Sequence, residues 1–234
     1  MRTQESLPHQ GGFFVFHKRP KGAHLAPKQA FSFNGPQCCR IRDFSDSSFT
    51  VISMKQNLVT LPTERLLLRP LHSSDLESVH LYASDPENTA YMSYFPKTKA
   101  ETARFLENIA REWEKAAPDF FEFAVLLEGT LIGAVSVYLR EQETAGELGW
   151  ILNKRYWGHG YAAEAALALK AFAVSQLGLR RLTAHCDGRN TASRTVMEKL
   201  GMTLEDDTKM RRYPKTGEIA QDLLFSLSLP RDGR

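Results

Sequence analysis

The string Gly158-His159-Gly160-Tyr161-Ala162 follows the apolar run Leu148-Gly149-Trp150-Ile151-Leu152 and leads into the alanine-rich stretch Ala163-Glu164-Ala165. Read as strand, glycine loop and helix N-terminus, these residues can bind an anion. The first turn of a helix carries backbone N–H groups with no internal partner. The aligned peptide dipoles add roughly half a positive charge there. Glycines let the backbone close on a bulky anion without a Cβ in the way. Phosphate or pyrophosphate is the ligand class that fits.

The elements that must position this loop are legible on both sides of it. Residues 65–70, Arg-Leu-Leu-Leu-Arg-Pro, read as a short apolar strand ended by proline. Ser73-Ser74-Asp75 is an N-cap cluster for a helix reaching about Ala83. Phe105, Ile109 and Trp113 recur at helical spacing within 99–115. The apolar runs 121–127 and 131–139 flank a Glu128-Gly129 turn and predict a hairpin. A strand over 145–152 precedes the loop. A helix from Gly160 to about Leu177 follows it, with Gly178 as its stop. Residues 181–186 read as a strand, and 190–200 as a helix capped by Asn190 and stopped by Gly201. Two strands, near 202–213 and 218–229, close the chain. The order βααβββαβαββ predicts an antiparallel meander followed by a helix-crossed parallel pair.

Composition narrows the function. The chain has 234 residues and a formal charge of +3, long enough for one sizeable domain. The charge is unevenly spread: residues 1–53 hold seven Lys/Arg against three Asp/Glu, and 54–234 hold 23 against 24. A near-neutral folded part argues against a nucleic-acid partner, which needs a basic face. Residues 1–53 mix Gly, Pro, Ser and isolated Phe without sustained periodicity. They read as a disordered or mis-started basic extension, with Met54 as the natural start and 54–234 as the domain. No apolar run approaches the roughly 20 residues that span a bilayer, so no membrane partner is expected. Cys38 and Cys39 are adjacent and Cys186 is far away, which fits a reducing cytoplasm. The histidines show no metal-ligand pairing, so no metal site is expected.

Two readings compete for the loop. Gly158 to Ala163 also satisfies the dinucleotide fingerprint G-x-G-x-x-A, with Asp187 at the end of the next strand. Against it, five residues (153–157) separate strand from first glycine, a hairpin layout precedes the motif, and only one complete βαβ unit follows.

The better match is a resemblance to the GNAT N-acetyltransferases of the RimJ/RimL-like branch, covering roughly 60–229. Their acetyl-CoA signature Q/R-x-x-G-x-G/A falls on Trp157-Gly158-His159-Gly160-Tyr161-Ala162, with the branch's tryptophan in first position. Asn190-Thr191-Ala192-Ser193, then Glu198-Lys199-Leu200-Gly201-Met202, resembles the family's N-x-x-S…E-K-L-G-F segment. The opening strand at 65–70 also looks like the branch's own.

The resemblance implies an α+β fold: a mixed, mostly antiparallel central sheet flanked by helices, with the fourth and fifth strands splayed apart. It implies acetyl-CoA as acetyl donor, its pyrophosphate on the N–H groups of residues 158–162 and its pantetheine arm against the backbone of Trp150, Ile151 and Leu152. Asn190 would reach the pantetheine or simply cap its helix. The acceptor is then a primary amine, of a small molecule or of a protein N-terminus. It must attack unprotonated, so a base is useful. Glu147 is the first candidate, or else an exposed or salt-bridged strand glutamate. His185 and Asp187 are weaker candidates. Many family members place a general-acid tyrosine seven residues after the motif asparagine. Here that position is Met197, which leaves Ser193 to orient the thiol. Residues 88–96, with Tyr91 and Tyr94, fall where the family shapes acceptor specificity. Glu205-Asp206-Asp207 would attract a cationic acceptor or form a solvated turn. A non-catalytic acyl-CoA-binding module is the alternative of a different class. Oligomeric state leaves no mark in the sequence.

Overall fold

A computed structural model describes residues 59–92, 98–140, 144–213 and 216–229. The basic extension 1–53 and the predicted pocket residue Tyr94 lie outside these. Strands β1 (Leu61–Pro62) and β2 (Leu66–Pro70) open the fold, followed by helices α1 (Leu76–Ala83) and α2 (Lys99–Glu114). The meander β3 (Phe120–Leu127), β4 (Thr130–Leu139), β5 (Ala145–Leu152) comes next. Then come α3 (Tyr161–Ser175), β6 (Arg181–Asp187), α4 (Thr191–Lys199), β7 (Thr203–Arg212) and β8 (Ile219–Ser228).

Local chemistry sets these boundaries. Thr98 and Glu101 form a reciprocal capping box at the start of α2. Helix α2 then buries Phe105, Leu106, Ile109 and Trp113 along one stripe. Ser73–Asp75 make a single 3-10 turn rather than the first turn of α1. Asp75 is drawn into a bidentate pair with Arg69 (2.7 Å to each oxygen) and accepts from the His72 N–H. Helix α3 ends at Ser175, two residues before the sequence-based estimate. Trp113 of α2 and Phe172 of α3 both pack edge-on against Phe121 and Phe123 of β3. The two helices therefore cover the same sheet face.

The sheet runs β1-β2-β3-β4-β5-β6-β8-β7, with every pair antiparallel except β5–β6. This mixed sheet removes the dinucleotide reading, which needs a parallel one. Strand β8 inserts between β6 and β7, leaving the charged β7 at the edge, a position that such side chains protect. The decisive irregularity is the β5–β6 pair. It is hydrogen-bonded only at Ala145–Arg181, Gly146–Leu182 and Glu147–Thr183. Beyond Glu147 the strands part, although β5 continues to Leu152 and β6 to Asp187. Five residues of β5 thus present one unpaired edge, about 17 Å at strand rise. Its other edge stays paired with β4 as far as Gly133–Leu152. Glycine is required there, because a Cβ at Gly133 would lie 2.2 Å from the Ile151 carbonyl oxygen.

Candidate active site

After β5, Lys154–Tyr156 form one 3-10 turn capped by the Asn153 side chain, which accepts from the Arg155 N–H (3.1 Å). The chain then passes through Gly158 and Gly160, both at φ +81°, a conformation costing an L-residue roughly 1–2 kcal/mol. At Gly158 an added Cβ would meet nothing within 4 Å among the described residues. Backbone conformation, not crowding, demands glycine there. Gly160 is the N-cap of α3 and brings no side chain to its first N–H groups. His159 Nδ1 lies 2.8 Å from the Trp157 carbonyl, so that nitrogen carries the proton. Its ring stacks on Tyr161 at 5.6 Å.

The end of β5 is held by residues far from it in sequence. The Leu152 carbonyl accepts from Asn88 Nδ2 (2.5 Å) and from Trp157 Nε1 (2.8 Å), and Asn88 Oδ1 accepts from the Lys154 N–H (3.0 Å). With both lone pairs taken, this carbonyl is not open to a ligand. The backbone groups open on this edge are those of Leu148 and Trp150, whereas Gly149 and Ile151 turn theirs to β4.

Trp150, Ser193 and Asn190 are linked across the parting of β5 and β6. Asn190 caps α4 by accepting from the Ser193 N–H (3.0 Å). Ser193 Oγ in turn accepts from the Trp150 indole N–H (3.2 Å). A side chain from β5 thus reaches α4 across the opening. Met197 is fully buried in the core, and so brings no polar group to the gap. Cys186, on β6, is buried, and burial pushes its thiol up to about 11.

Glu147 stands at the closed end of the gap, the last residue of β5 paired with β6. Its side chain is 5% exposed and ion-paired to Arg140, itself 41% exposed. Two strands away, Glu122 on β3 lies opposite Ser136 of β4, which lies opposite Gly149 of β5. Glu122 is fully buried, neither oxygen has a hydrogen-bond partner among the described residues, and burial holds its carboxyl well above the usual range.

The weaker candidates belong to a structural network at the end of β6. His185 Nδ1 lies 3.3 Å from Asp222, which Arg211 also holds. The Asp187 carboxylate is wholly buried, gripped at both oxygens by Arg189 and bonded by the Tyr213 hydroxyl (2.7 Å). Burial pushes this carboxyl up, but those bonds outweigh it and hold it below the usual carboxylate value. Burial and the Asp187 charge push the Tyr213 phenol well above its ordinary range, so it remains a donor. Beside it a cavity of about 220 Å³ is lined by Pro86, Ala90, Met92, Tyr213, Thr216 and Glu218. Tyr91, in the segment expected to shape the acceptor site, lies under the Arg189 guanidinium at 5.8 Å. Glu205 pairs with Arg181 and Asp206 with Lys209 on the exposed edge strand, the solvated alternative for that acidic run.

Sequence reasoning missed Arg140, Asn88 and Tyr213 as partners. Each acts across a loop or a strand boundary, where spacing carries no signal.

The sheet opens beside a glycine loop at a helix N-terminus, and known proteins share this fold. Residues 65–203 match the acetyltransferase (GNAT) domain, and the chain belongs to that family of N-acetyltransferases. YnaD, an uncharacterized N-acetyltransferase of Bacillus subtilis, is 33% identical over 170 residues, 71% of this chain and 95% of its own length. A GNAT-family acetyltransferase from Bacillus anthracis superposes with a TM-score of 0.64 at 30% identity, covering 73% of this chain and 98% of that one. RimL, a ribosomal L7/L12 α-N-protein acetyltransferase solved with coenzyme A, superposes at 0.63 with coverage of 73% and 98%. At 16% identity that likeness is one of fold. Among the described residues no helix is long and apolar enough to cross a membrane.

Proposed function

We propose that this enzyme moves the acetyl group of acetyl-CoA to a primary amine by direct attack within a ternary complex. The observation that carries the proposal is the parting of β5 and β6 after Glu147, next to a loop with two left-handed glycines at the start of α3. The N–H groups of residues 158–162 hold the pyrophosphate. The free edge of β5, through the backbone groups of Leu148 and Trp150, takes the pantetheine arm as an additional strand. Acetyl-CoA supplies an activated acyl carbon.

The amine nitrogen attacks that carbon, and the carbonyl electrons move to oxygen. A β5 backbone N–H bonds the oxyanion, a fixed dipole of the kind that dominates acyl transfer. Collapse restores the carbonyl, breaks the C–S bond and releases CoA thiolate. The amine proton goes to Glu147, directly or through water, and the departing thiolate takes a proton from solvent. Ser193 orients the sulfur. Its hydroxyl oxygen already accepts from the Trp150 indole N–H beside the gap, which leaves its O–H proton free to point at the sulfur. An α-amine near pKa 8 reaches the neutral form more readily than a lysine-type amine near 10.4. The cavity between Pro86–Met92 and Tyr213–Glu218 is the acceptor's place. Its volume of about 220 Å³ fits a small amine or the first side chain of a peptide.

The test is thiol release from acetyl-CoA by the full chain against small amines and short peptides with free N-termini. Release with one acceptor class is expected and names the substrate. CoA-induced thermal stabilisation with no thiol release across both classes would overturn the amine-transfer reading.

A further inference from the structure

The glycine loop is secured from outside itself. Arg65, just before β2, sends Nη1 to the His159 carbonyl (3.1 Å), and Nε and Nη2 to Glu164 Oε2 (2.7 Å each). Its guanidinium carbon lies 4.5 Å above the Tyr161 ring, and Nη2 is 3.6 Å from where a Cβ of Gly160 would stand. The other Glu164 oxygen accepts from the Arg65 backbone N–H (2.8 Å) and from Thr63 Oγ1 (2.5 Å). One arginine therefore holds His159 of the loop and both Tyr161 and Glu164 in the first turn of α3.

Charge gives this arrangement its meaning. Burial pushes the Glu164 carboxyl up, but the Thr63 and Arg65 bonds outweigh it and hold it below the usual value. Glu164 is thus a full anion in the first turn of the helix whose N-terminus faces the cofactor. A carboxylate there stabilises the helix end, but it also competes with a bound pyrophosphate. Arg65 removes that conflict at its source. We propose that Arg65 is a positioning residue of the cofactor site: it fixes the glycine loop through His159 and cancels the Glu164 charge, leaving the α3 N-terminus free for the pyrophosphate of acetyl-CoA. This rests on the loop being the pyrophosphate site.

A merely structural tie between β2 and α3 would weaken every ligand alike, whereas charge cancellation acts on phosphate-bearing ligands. The experiment titrates CoA and pantetheine, which lacks the pyrophosphate, into wild type, R65A, R65K and R65A/E164Q, with folding checked by circular dichroism. In R65A an uncompensated carboxylate near the pyrophosphate should weaken CoA about tenfold at low salt. The loss should shrink towards 1 M salt, where charges are screened within about 3 Å. Pantetheine affinity should stay unchanged. R65K keeps the charge and should lose less than R65A, and R65A/E164Q should regain most of the CoA affinity. Equal loss of CoA and pantetheine in R65A, or no rescue by E164Q, overturns the proposal. Wild type binding CoA no better than pantetheine would overturn the pyrophosphate reading itself, and the Arg65 role with it.

Discussion

Replacing Glu147 by glutamine separates a catalytic base from a buried ion-pair partner, and the geometry fixes what each role predicts. Glu147 is 5% exposed and its partner Arg140 is 41% exposed. In E147Q the arginine loses its carboxylate but is open enough for water to replace it. The stability cost should stay near that of a half-exposed pair, about 1 kcal/mol. For a chain of this size that is a fall of about 2–4 °C in Tm. R140Q is the harsher change for folding, because it takes a cationic partner from a carboxylate with almost no access to water. Its cost should approach the roughly 3–5 kcal/mol of a broken buried pair. Activity should run the other way. A general base contributes about 10²–10⁴-fold, so E147Q should lower kcat by at least 100-fold with CoA affinity unchanged. R140Q, which retains the carboxylate, should lose far less in kcat while losing more in Tm. The assay is steady-state thiol release at saturating acetyl-CoA and acceptor, with thermal melts and CoA titration on the same samples. A folded E147Q that binds CoA and keeps kcat within threefold of wild type would refute the assignment and leave Glu147 as Arg140's partner alone.

Three further outcomes follow from the same geometry. G160A must hold φ +81° at roughly 1–2 kcal/mol; a surface loop relaxes instead, so CoA titration should show a Kd raised about 5–30-fold with little change in Tm. W150F and S193A each remove the single indole-to-hydroxyl bond, so a double-mutant cycle of melts should be non-additive by about 0.5–1.5 kcal/mol. Glu122 has its carboxyl raised by burial, so the folded protein holds a proton that the unfolded chain releases above pH of about 4.3. The native state therefore loses stability, by at most about 1.4 kcal/mol per pH unit, as pH rises from there to the folded value. E122Q removes that term, so urea melts should show it gaining on wild type from pH 4 to pH 7, and no pH-dependent difference would contradict it.

Much of this protein is written locally in its sequence. Gly158 and Gly160, the alanines of α3 and the Asn190 cap announce themselves because helix starts, left-handed turns and capping depend on neighbours a few residues apart. The hairpin around Glu128-Gly129 and the stripe of α2 are legible for the same reason: periods of 2 and 3.6 are properties of one segment. The glycine loop and the helix start beside it are therefore legible from the sequence. What the tertiary structure alone decided is where segments stop pairing and whom they meet. Nothing in 145–152 or 181–187 announces that their ladder breaks after Glu147, nor that β8 rather than β7 lies beside β6. That Glu147 pairs with Arg140 is visible only in the fold. Trp150 meets Ser193 across 43 positions, Asn88 meets Leu152 across 64, and Arg65 meets Glu164 across 99. Such contacts are selected by the shape and charge balance of the assembled sheet, which no local period encodes. The sequence determined the parts of the glycine loop; the sheet decided where the gap beside it opens and which charges face it.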